Sequence, residues 1–195
     1  QHMHDKGWIH KDLKPENILV NRSAEVRIID YSLAVKKATA LSKVFGGNTG
    51  VIRGTRTYLA PETIRKQPST PATDIYSLGI TLYECLTGKP PFTGESPQDL
   101  LRRHLAAAAP EPSLLNSNVT PEMDAVIMKM LAKKPKDRFQ ECSEIVSAIS
   151  KISIFKEEPK TAATMEEEQQ QASAGDVSKL EELMENRLDS RTDAL

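Results

Sequence analysis

The segment from Thr73 to Gly88 constrains the fold more than any other part of this sequence. Its apolar side chains recur at helical spacing on one face and also cover a second face. They are Ile75, Leu78, Leu82 and Leu86 on the first face, and Tyr76 and Ile80 on the second. Thr73 can cap the start of such a helix and Gly88 its end, and Pro90 and Pro91 forbid its continuation. A helix that is apolar on two faces is buried, so the segment predicts a helix inside a globular domain.

Further helices are predicted by start signals in the second half of the chain. The pairs Ser96-Pro97 and Thr120-Pro121 combine a capping hydroxyl with a proline at the first helical position. We expect helices from 96 to about 104, from 121 to about 131 and from 142 to about 152. Two β-branched runs, at 18–20 and 26–29, are typical of short strands joined by a turn. The predicted fold class is therefore mainly α, with one short β-hairpin.

Composition and length narrow the classes of protein that the chain can belong to. The 195 residues allow one ordinary domain and a tail, with 38% hydrophobic and 27% charged residues, as in soluble globular proteins. A net charge of −1 argues against a nucleic-acid binder, which would normally be basic. No run of about 18 apolar residues occurs, so no membrane segment is expected in this chain. There is no apolar signal-peptide core at the start either, so we expect a cytoplasmic location.

The two cysteines predict neither a metal site nor a disulfide, and the uneven charge distribution predicts a domain boundary. Cys85 and Cys142 lie far apart without CxxC spacing, so two free thiols are expected rather than a metal site or a disulfide. Residues 1–152 hold 21 basic and 16 acidic side chains, whereas residues 153–195 hold 5 basic and 11 acidic ones. We expect a domain over 1–152 and an acidic, mostly disordered tail over 153–195. A short helix from Val177 is possible within the tail, which either remains solvated or docks on the basic domain.

Candidate chemistry is concentrated in the stretch HKDLKPEN, residues 10–17, which is followed by the apolar triplet 18–20. A carboxylate, a lysine and an amide at this spacing fit phosphoryl transfer. The carboxylate would orient a hydroxyl, the lysine would offset phosphate charge and the amide oxygen would hold a metal. Each residue also has an ordinary interpretation. His10 alone is more often a core histidine, Lys14 a solvated charge and Asn17 a turn residue.

Three motifs in a fixed order decide between these interpretations. HKDLKPEN resembles the catalytic loop H-R-D-L-x-x-x-N of protein kinases, with Lys11 in place of arginine. DYS at 30–32 resembles the D-F-G motif, and GTRTYLAPE at 54–62 resembles the segment that ends in A-P-E. Over residues 1–152 the chain is therefore similar to the large, C-terminal lobe of a protein kinase. The small lobe, with its glycine-rich loop and its lysine, would precede Gln1, so we expect the chain to be a fragment of a longer protein.

The resemblance implies a role for each matching residue. Asp12 would orient the substrate hydroxyl and accept its proton, and Lys14 would offset charge on the transferred phosphoryl group of ATP. Asn17 and Asp30 would hold Mg²⁺ against the ATP phosphates. Thr55 would contact the aspartate and seat a protein substrate.

Other residues have structural or regulatory roles by the same resemblance. His10 would be structural, Asp74 would hold the backbone of the catalytic loop, and Glu62 would pair with Arg138. The long segment between Asp30 and Glu62 would be an activation loop. In it Thr49 is the strongest phosphosite candidate, ahead of Ser42 and Thr39, and Lys11 could contact the phosphate.

A lysine two residues after the aspartate is typical of serine/threonine kinases, so the complete protein is predicted to phosphorylate Ser or Thr in protein substrates. Without the small lobe, this chain would bind ATP poorly, be inactive alone and expose an apolar face. A pseudokinase that binds partners is the alternative, because Lys11, Tyr31 and Ser32 depart from the kinase motifs. A helical interaction module without kinase ancestry is a third possibility.

Overall fold

The computed structural model describes residues 1–37 and 55–158, which form helices joined by short strands and turns. The α-helices are α1 (His2–Asp5), α2 (Pro61–Ile64), α3 (Pro71–Thr87), α4 (Pro97–Ala106), α5 (Pro121–Met130) and α6 (Cys142–Ile149). The strands are β1 (Trp8–Ile9), β2 (Ile18–Val20), β3 (Val26–Ile28) and β4 (Val35–Lys36). Single 3-10 turns lie at Pro15–Asn17, Arg56–Tyr58, Pro112–Leu114 and Pro135–Asp137. The mainly helical prediction is confirmed, whereas the assignment to a particular lobe stays a prediction.

Helix α3 lies at the centre of the core, as its two apolar faces predicted. Ile75, Tyr76, Ile80 and Tyr83 have no exposed surface. The helix begins at Pro71, with Thr70 at the capping position, so the prediction that Thr73 is the cap was wrong. Thr73 instead lies in the first turn, where its hydroxyl oxygen accepts a hydrogen bond from the Thr70 amide at 3.0 Å. Gly88 ends the helix in the left-handed conformation (φ 77°), as expected.

Helices α3 and α5 approach each other closely at Gly79. A Cβ atom at this position would lie 2.9 Å from Cβ of Met130 and 3.0 Å from Cδ2 of Leu131. Both distances are shorter than ordinary van der Waals contact, so only glycine fits without moving a neighbour. Helix α5 also contributes fully buried side chains to the core, Ile127 and Met130.

Helices α4 and α5 begin directly after their predicted capping residues. The Ser96 hydroxyl accepts from the Asp99 amide at 3.1 Å, and the Thr120 hydroxyl accepts from the Met123 amide at 3.3 Å. Helix α4 continues to Ala106, two residues past the predicted end. Helix α6 ends at Ile149, three residues before the predicted end, and residues after it turn back toward the loop before α5. There the Thr120 amide donates to the Ile154 carbonyl at 3.1 Å.

The strands form two small antiparallel sheets. The predicted hairpin is confirmed, with β2 paired to β3 in the register Ile18↔Ile28 and Val20↔Val26. A second pair, β1 with β4, was not predicted, because Val35–Lys36 lies in a stretch that the sequence indicated was loop. Along the chain, the HKDLKPEN motif lies between β1 and β2, and the DYS motif lies between β3 and β4.

Parts of the predicted organisation lie outside the described residues. They include the phosphosite candidates Thr39, Ser42 and Thr49, and the short helix predicted from Val177. The first compact unit of the chain is Gln1–Lys156, and a domain boundary near 152 stays a prediction. Among the described helices, none has both the length and the apolar character needed to span a bilayer.

Candidate active site

The loop of residues 10–17 is held from behind by Asp74, a residue in the first turn of α3. One carboxylate oxygen of Asp74 accepts from the amide of His10 at 2.8 Å, and the other accepts from the amide of Lys11 at 2.8 Å. Lys11 has φ 70°, a backbone conformation that costs free energy for a residue with a side chain. Two charge-assisted bonds to a carboxylate that is 2% exposed hold this turn in place.

His4 completes the set of donors around Asp74, and sequence reasoning missed it. Its Nε2 lies 2.8 Å from Oδ2 of Asp74. The hydrogen bond to Asp74 is the largest of several effects that together raise the pKa of His4 to about 9. The ring is therefore protonated at neutral pH and pairs with the carboxylate. No local signal could have revealed this pair, because 70 residues separate the two side chains.

His10 connects the loop to the end of β3. Its Nδ1 accepts from the Asp12 amide at 3.3 Å, so in the neutral ring Nε2 carries the hydrogen and donates to the Ile29 carbonyl at 3.2 Å. The ring also packs against Tyr31 with centroids 5.2 Å apart. His10 is 1% exposed, and these contacts give it no access to a substrate.

Three other predicted site residues surround the carboxylate of Asp12. Nζ of Lys14 lies 3.2 Å from Oδ2 of Asp12 and donates to Oγ1 of Thr55 at 2.8 Å. The amide nitrogen of Asn17 donates to Oδ2 of Asp12 at 3.2 Å and to the Asp12 carbonyl at 2.8 Å. The Thr55 backbone amide donates to Oδ1 of Asp12 at 3.2 Å. The carboxylate is thus oriented from three sides, although Thr55 comes from a distant part of the sequence.

Thr55 reaches Asp12 because the turn that follows it is attached to α3. The Ser77 hydroxyl donates to the Tyr58 carbonyl at 2.7 Å, and the Tyr58 hydroxyl donates to a Glu84 carboxylate oxygen at 2.7 Å. The Tyr58 ring is itself buried. The helix that anchors the loop of residues 10–17 through Asp74 therefore also positions the segment that carries Thr55.

Asp30 lies on the other side of Asn17. The Ile29 amide donates to the Asn17 carbonyl at 2.9 Å, which places the next residue, Asp30, beside the loop. The Asp30 carboxylate is exposed, and hydrogen bonds from the hydroxyl and amide of Ser32 hold its pKa below the usual value, with the charges of Lys14 and His10 adding to this. The Asp30 side chain is therefore an ionised, accessible oxygen donor at neutral pH.

Asn17 and Asp30 fit a magnesium site. Both hydrogen bonds of the Asn17 side chain use its nitrogen, and among the described residues none is made to its oxygen, Oδ1. Mg²⁺ prefers oxygen ligands and is commonly held by one or two carboxylates together with waters and substrate phosphates. An amide oxygen and an ionised carboxylate on neighbouring turns meet that description. Within residues 1–37 and 55–158, no group of three or more His, Cys, Asp or Glu forms a different metal centre.

Glu62 and Arg138, predicted to pair, form a buried ion pair away from the loop. Nη1 and Nη2 of Arg138 each donate to a different Glu62 oxygen at 2.8 Å. The guanidinium also donates to three backbone carbonyls, those of residues 72, 132 and 133. The Thr73 hydroxyl donates to Glu62 at 2.9 Å. Thr73 and Asp74 are adjacent, so one turn of α3 holds both the ion pair and the loop of residues 10–17.

A groove of ≈ 760 Å³ opens beside Thr55, between its turn and the start of α4. Its lining includes Arg56, Glu95 and Gln98 together with the apolar side chain of Leu101. The two sheets and the segment between β3 and β4 expose large apolar side chains. These are Trp8, Leu19, Val20, Val26, Ile28, Ile29, Tyr31 and Val35.

Comparison with known proteins decides the family. The protein kinase domain matches residues 1–149. The chain belongs to the protein kinase family. It is 38% identical over 149 residues to the serine/threonine-protein kinase PknB of Mycolicibacterium smegmatis, covering 76% of this chain and 24% of that protein. It is 37% identical over 157 residues to a probable serine/threonine-protein kinase PknB of Corynebacterium glutamicum, covering 78% and 24%.

A probable serine/threonine-protein kinase of Streptomyces coelicolor, SCO3848, is 35% identical over 145 residues, with 74% of this chain and 21% of that protein covered. The chain therefore spans about a quarter of the length of these kinase relatives. The resemblance inferred from the motifs is confirmed at the level of the family. The individual roles predicted for the site residues stay predictions, and they enter the proposal that follows.

Proposed function

We propose that the protein containing this chain transfers the γ-phosphoryl group of ATP to Ser or Thr hydroxyls of protein substrates. The observation that carries the proposal is the arrangement of Lys14, Asn17 and Thr55 around the Asp12 carboxylate. A carboxylate fixed by three neighbours can accept the proton of an incoming hydroxyl without first reorganising. The names of the bacterial relatives, all serine/threonine kinases, support the same function.

Each polar group at this position has a separate task. Among the described residues, Oδ1 of Asp12 receives one hydrogen bond, from Thr55, which leaves a lone pair there for the substrate hydroxyl. Lys14 contacts both Asp12 and Thr55, and its ammonium group has a third hydrogen available for a phosphate oxygen. Bound Mg²⁺, held by Asn17 and Asp30, would neutralise charge on the ATP phosphates. A substrate segment would lie in the groove beside Thr55.

We also propose that residues 1–195 alone bind ATP weakly. The sequence contains no G-x-G-x-x-G loop to cover the phosphates, and the relatives are about four times longer than the matched region. The exposed apolar side chains of the two sheets are the surface that the small lobe of a complete kinase would cover. In a thermal shift assay, millimolar ATP with Mg²⁺ should leave the melting temperature of this chain unchanged. A clear rise would contradict this part of the proposal.

A pseudokinase is the second candidate function, favoured by the departures at Lys11, Tyr31 and Ser32. The contacts of these residues do not remove the site. The Lys11 amide still bonds Asp74, the Tyr31 hydroxyl donates to the Ile28 carbonyl at 2.8 Å, and Ser32 bonds Asp30. The substitutions therefore keep the backbone of the loop and the charge of Asp30 in place, which favours an active enzyme.

The test uses the full gene product that contains this chain, incubated with labelled ATP, Mg²⁺ and a generic protein substrate. We expect phosphorylation of Ser or Thr, and a loss of about 100-fold or more in rate with Asp12→Asn, because general acid–base groups contribute on the order of 10²–10⁴. Asp137→Asn is the matched control, an exposed aspartate far from Asp12 in the sequence. Activity that survives Asp12→Asn would mean that the base is misassigned. A folded but inactive wild-type protein would favour the pseudokinase.

A further inference from the structure

A cysteine, a histidine and an aspartate are connected behind the candidate active site, and the proposed phosphoryl transfer makes no use of the cysteine. The Cys142 sulfur lies 3.7 Å from Nδ1 of His4, and Nε2 of the same ring lies 2.8 Å from Asp74. These residues come from three separate segments: α1, the first turn of α3 and the first residue of α6. A thiol within reach of an imidazole that is itself oriented by a carboxylate is the arrangement that activates cysteine nucleophiles.

The contacts favour the thiolate form of Cys142. When the His4 ring is protonated, both of its N–H groups are donors, one toward Asp74 and the other toward the sulfur. The hydrogen bond from His4 is the largest influence on Cys142 and lowers its pKa, opposed by partial burial. Cys142 is also the first residue of an eight-residue helix, where the helix dipole favours negative charge. Its side chain is partly exposed, so a small reagent can reach the sulfur.

Cys85 provides an internal comparison. It lies on α3, and its side chain is exposed. Burial raises the pKa of its thiol, and the neighbouring charge of Glu84 raises it further. The pKa of Cys85 is therefore raised above that of an ordinary cysteine, whereas the pKa of Cys142 is lowered below it. The more exposed thiol is expected to be the less reactive one.

We propose that Cys142 is a nucleophilic thiolate and the site at which this domain is oxidised by hydrogen peroxide. The sulfur attacks one peroxide oxygen, an S–O bond forms and the O–O bond breaks. The leaving hydroxide takes the proton from Nδ1 of His4, which yields Cys142 sulfenic acid and water. The peroxide is the oxidant, and its departing oxygen is reduced to water. The fixed ring of His4 supplies the proton where the leaving oxygen forms.

The position of the pair links this thiol to the catalytic loop. Asp74, which orients His4, also binds the amides of His10 and Lys11. The His4 ring and the Asp74 carboxylate are therefore the two groups that connect the sulfur with the loop backbone. A change of charge or size at the sulfur occurs two side chains away from the loop.

The first measurement is the rate at which each thiol of the gene product containing this chain is alkylated by iodoacetamide at pH 7, read site by site by mass spectrometry. Each unit by which a thiol pKa falls raises such a rate about threefold, because the gain in thiolate exceeds the loss in nucleophilicity. We expect Cys142 to react at least about threefold faster than Cys85. The rate at Cys142 should also level off at lower pH than the rate at Cys85. Equal rates, or a faster Cys85, would overturn the proposal.

The second measurement tests the role of His4. His4→Gln keeps a donor toward Asp74 and removes the positive charge, so the fold is retained while Cys142 loses its activating partner. We expect the Cys142 rate to fall to about that of Cys85, whose own rate stays unchanged and serves as the control for folding. With hydrogen peroxide and dimedone, sulfenic acid should be trapped at Cys142 in the wild type and much less in the variant. An unchanged Cys142 rate in His4→Gln would refute the role of His4 and overturn the proposal.

Discussion

The buried ion pair between Glu62 and Arg138 allows the sharpest stability prediction. The change is Arg138→Met, which keeps an apolar stem of similar length and removes the guanidinium. Glu62, 1% exposed, is left with only the Thr73 hydroxyl as a donor among the described residues. The carbonyls of residues 72, 132 and 133 lose a donor as well. Removing one partner of a buried pair typically costs about 3–5 kcal/mol.

That free energy converts into a measurable change in melting temperature. For a chain of this size, 1 kcal/mol corresponds to a shift of about 2–4 °C, so Arg138→Met should lower the melting temperature by about 6–20 °C. Removing both charges with Glu62→Leu and Arg138→Met should recover part of this loss, because no uncompensated carboxylate remains. The assay is thermal unfolding followed by circular dichroism for wild type, both single variants and the double variant.

The control is an arginine in an exposed ion pair. Arg103 contacts Asp99 at 3.1 Å, and the Arg103 side chain is 51% exposed. Solvent screening makes such pairs weak, so Arg103→Met should leave the melting temperature nearly unchanged. The reasoning is refuted if Arg138→Met lowers the melting temperature by no more than Arg103→Met does. It is also refuted if the double variant loses as much as the two single variants combined.

Three further predictions concern packing and titration. Gly79→Ala should destabilise the protein by about 1–3 kcal/mol in urea unfolding, because its Cβ would lie 2.9 Å from Met130; an unchanged midpoint would show that α3 and α5 separate easily. The pKa of His4 is raised to about 9 mainly by its bond to Asp74. The stabilisation of the folded protein by this pair is therefore complete below about pH 6.5 and is lost as pH rises through 9. His4→Gln should therefore reduce the fall in melting temperature between pH 6.5 and 9.5, and an identical fall in both proteins would contradict the pairing. Burial lowers the pKa of His104 to about 4. The contribution of the neutral His104 ring to the stability of the folded protein is therefore complete above pH 6.5 and is lost toward pH 4. His104→Phe should be less sensitive to acid over that range in the same assay, and equal sensitivity would argue against a buried neutral ring.

Much of the fold followed from local sequence signals. Helix α3 was predicted from the spacing of its apolar residues, and Gly88 was correctly placed at its end, since both depend on residues within a few turns. The error at its start has a local cause too. Thr70 and Thr73 are both possible caps, but Thr70 is followed by a proline at the first helical position, the same start signal as in α4 and α5.

The candidate site likewise contains some residues that the sequence located and others that only the tertiary structure placed there. The sequence by itself determined Asp12, Lys14 and Asn17 as a unit, because they lie within six residues on one turn whose backbone sets their distances. Only the tertiary structure placed Thr55 against Asp12, paired β4 with β1, and brought His4 between Asp74 and Cys142. These contacts join residues from 26 to 138 positions apart. The periodicity and capping signals of a chain report on neighbours, whereas such long-range contacts depend on how the helices pack around α3.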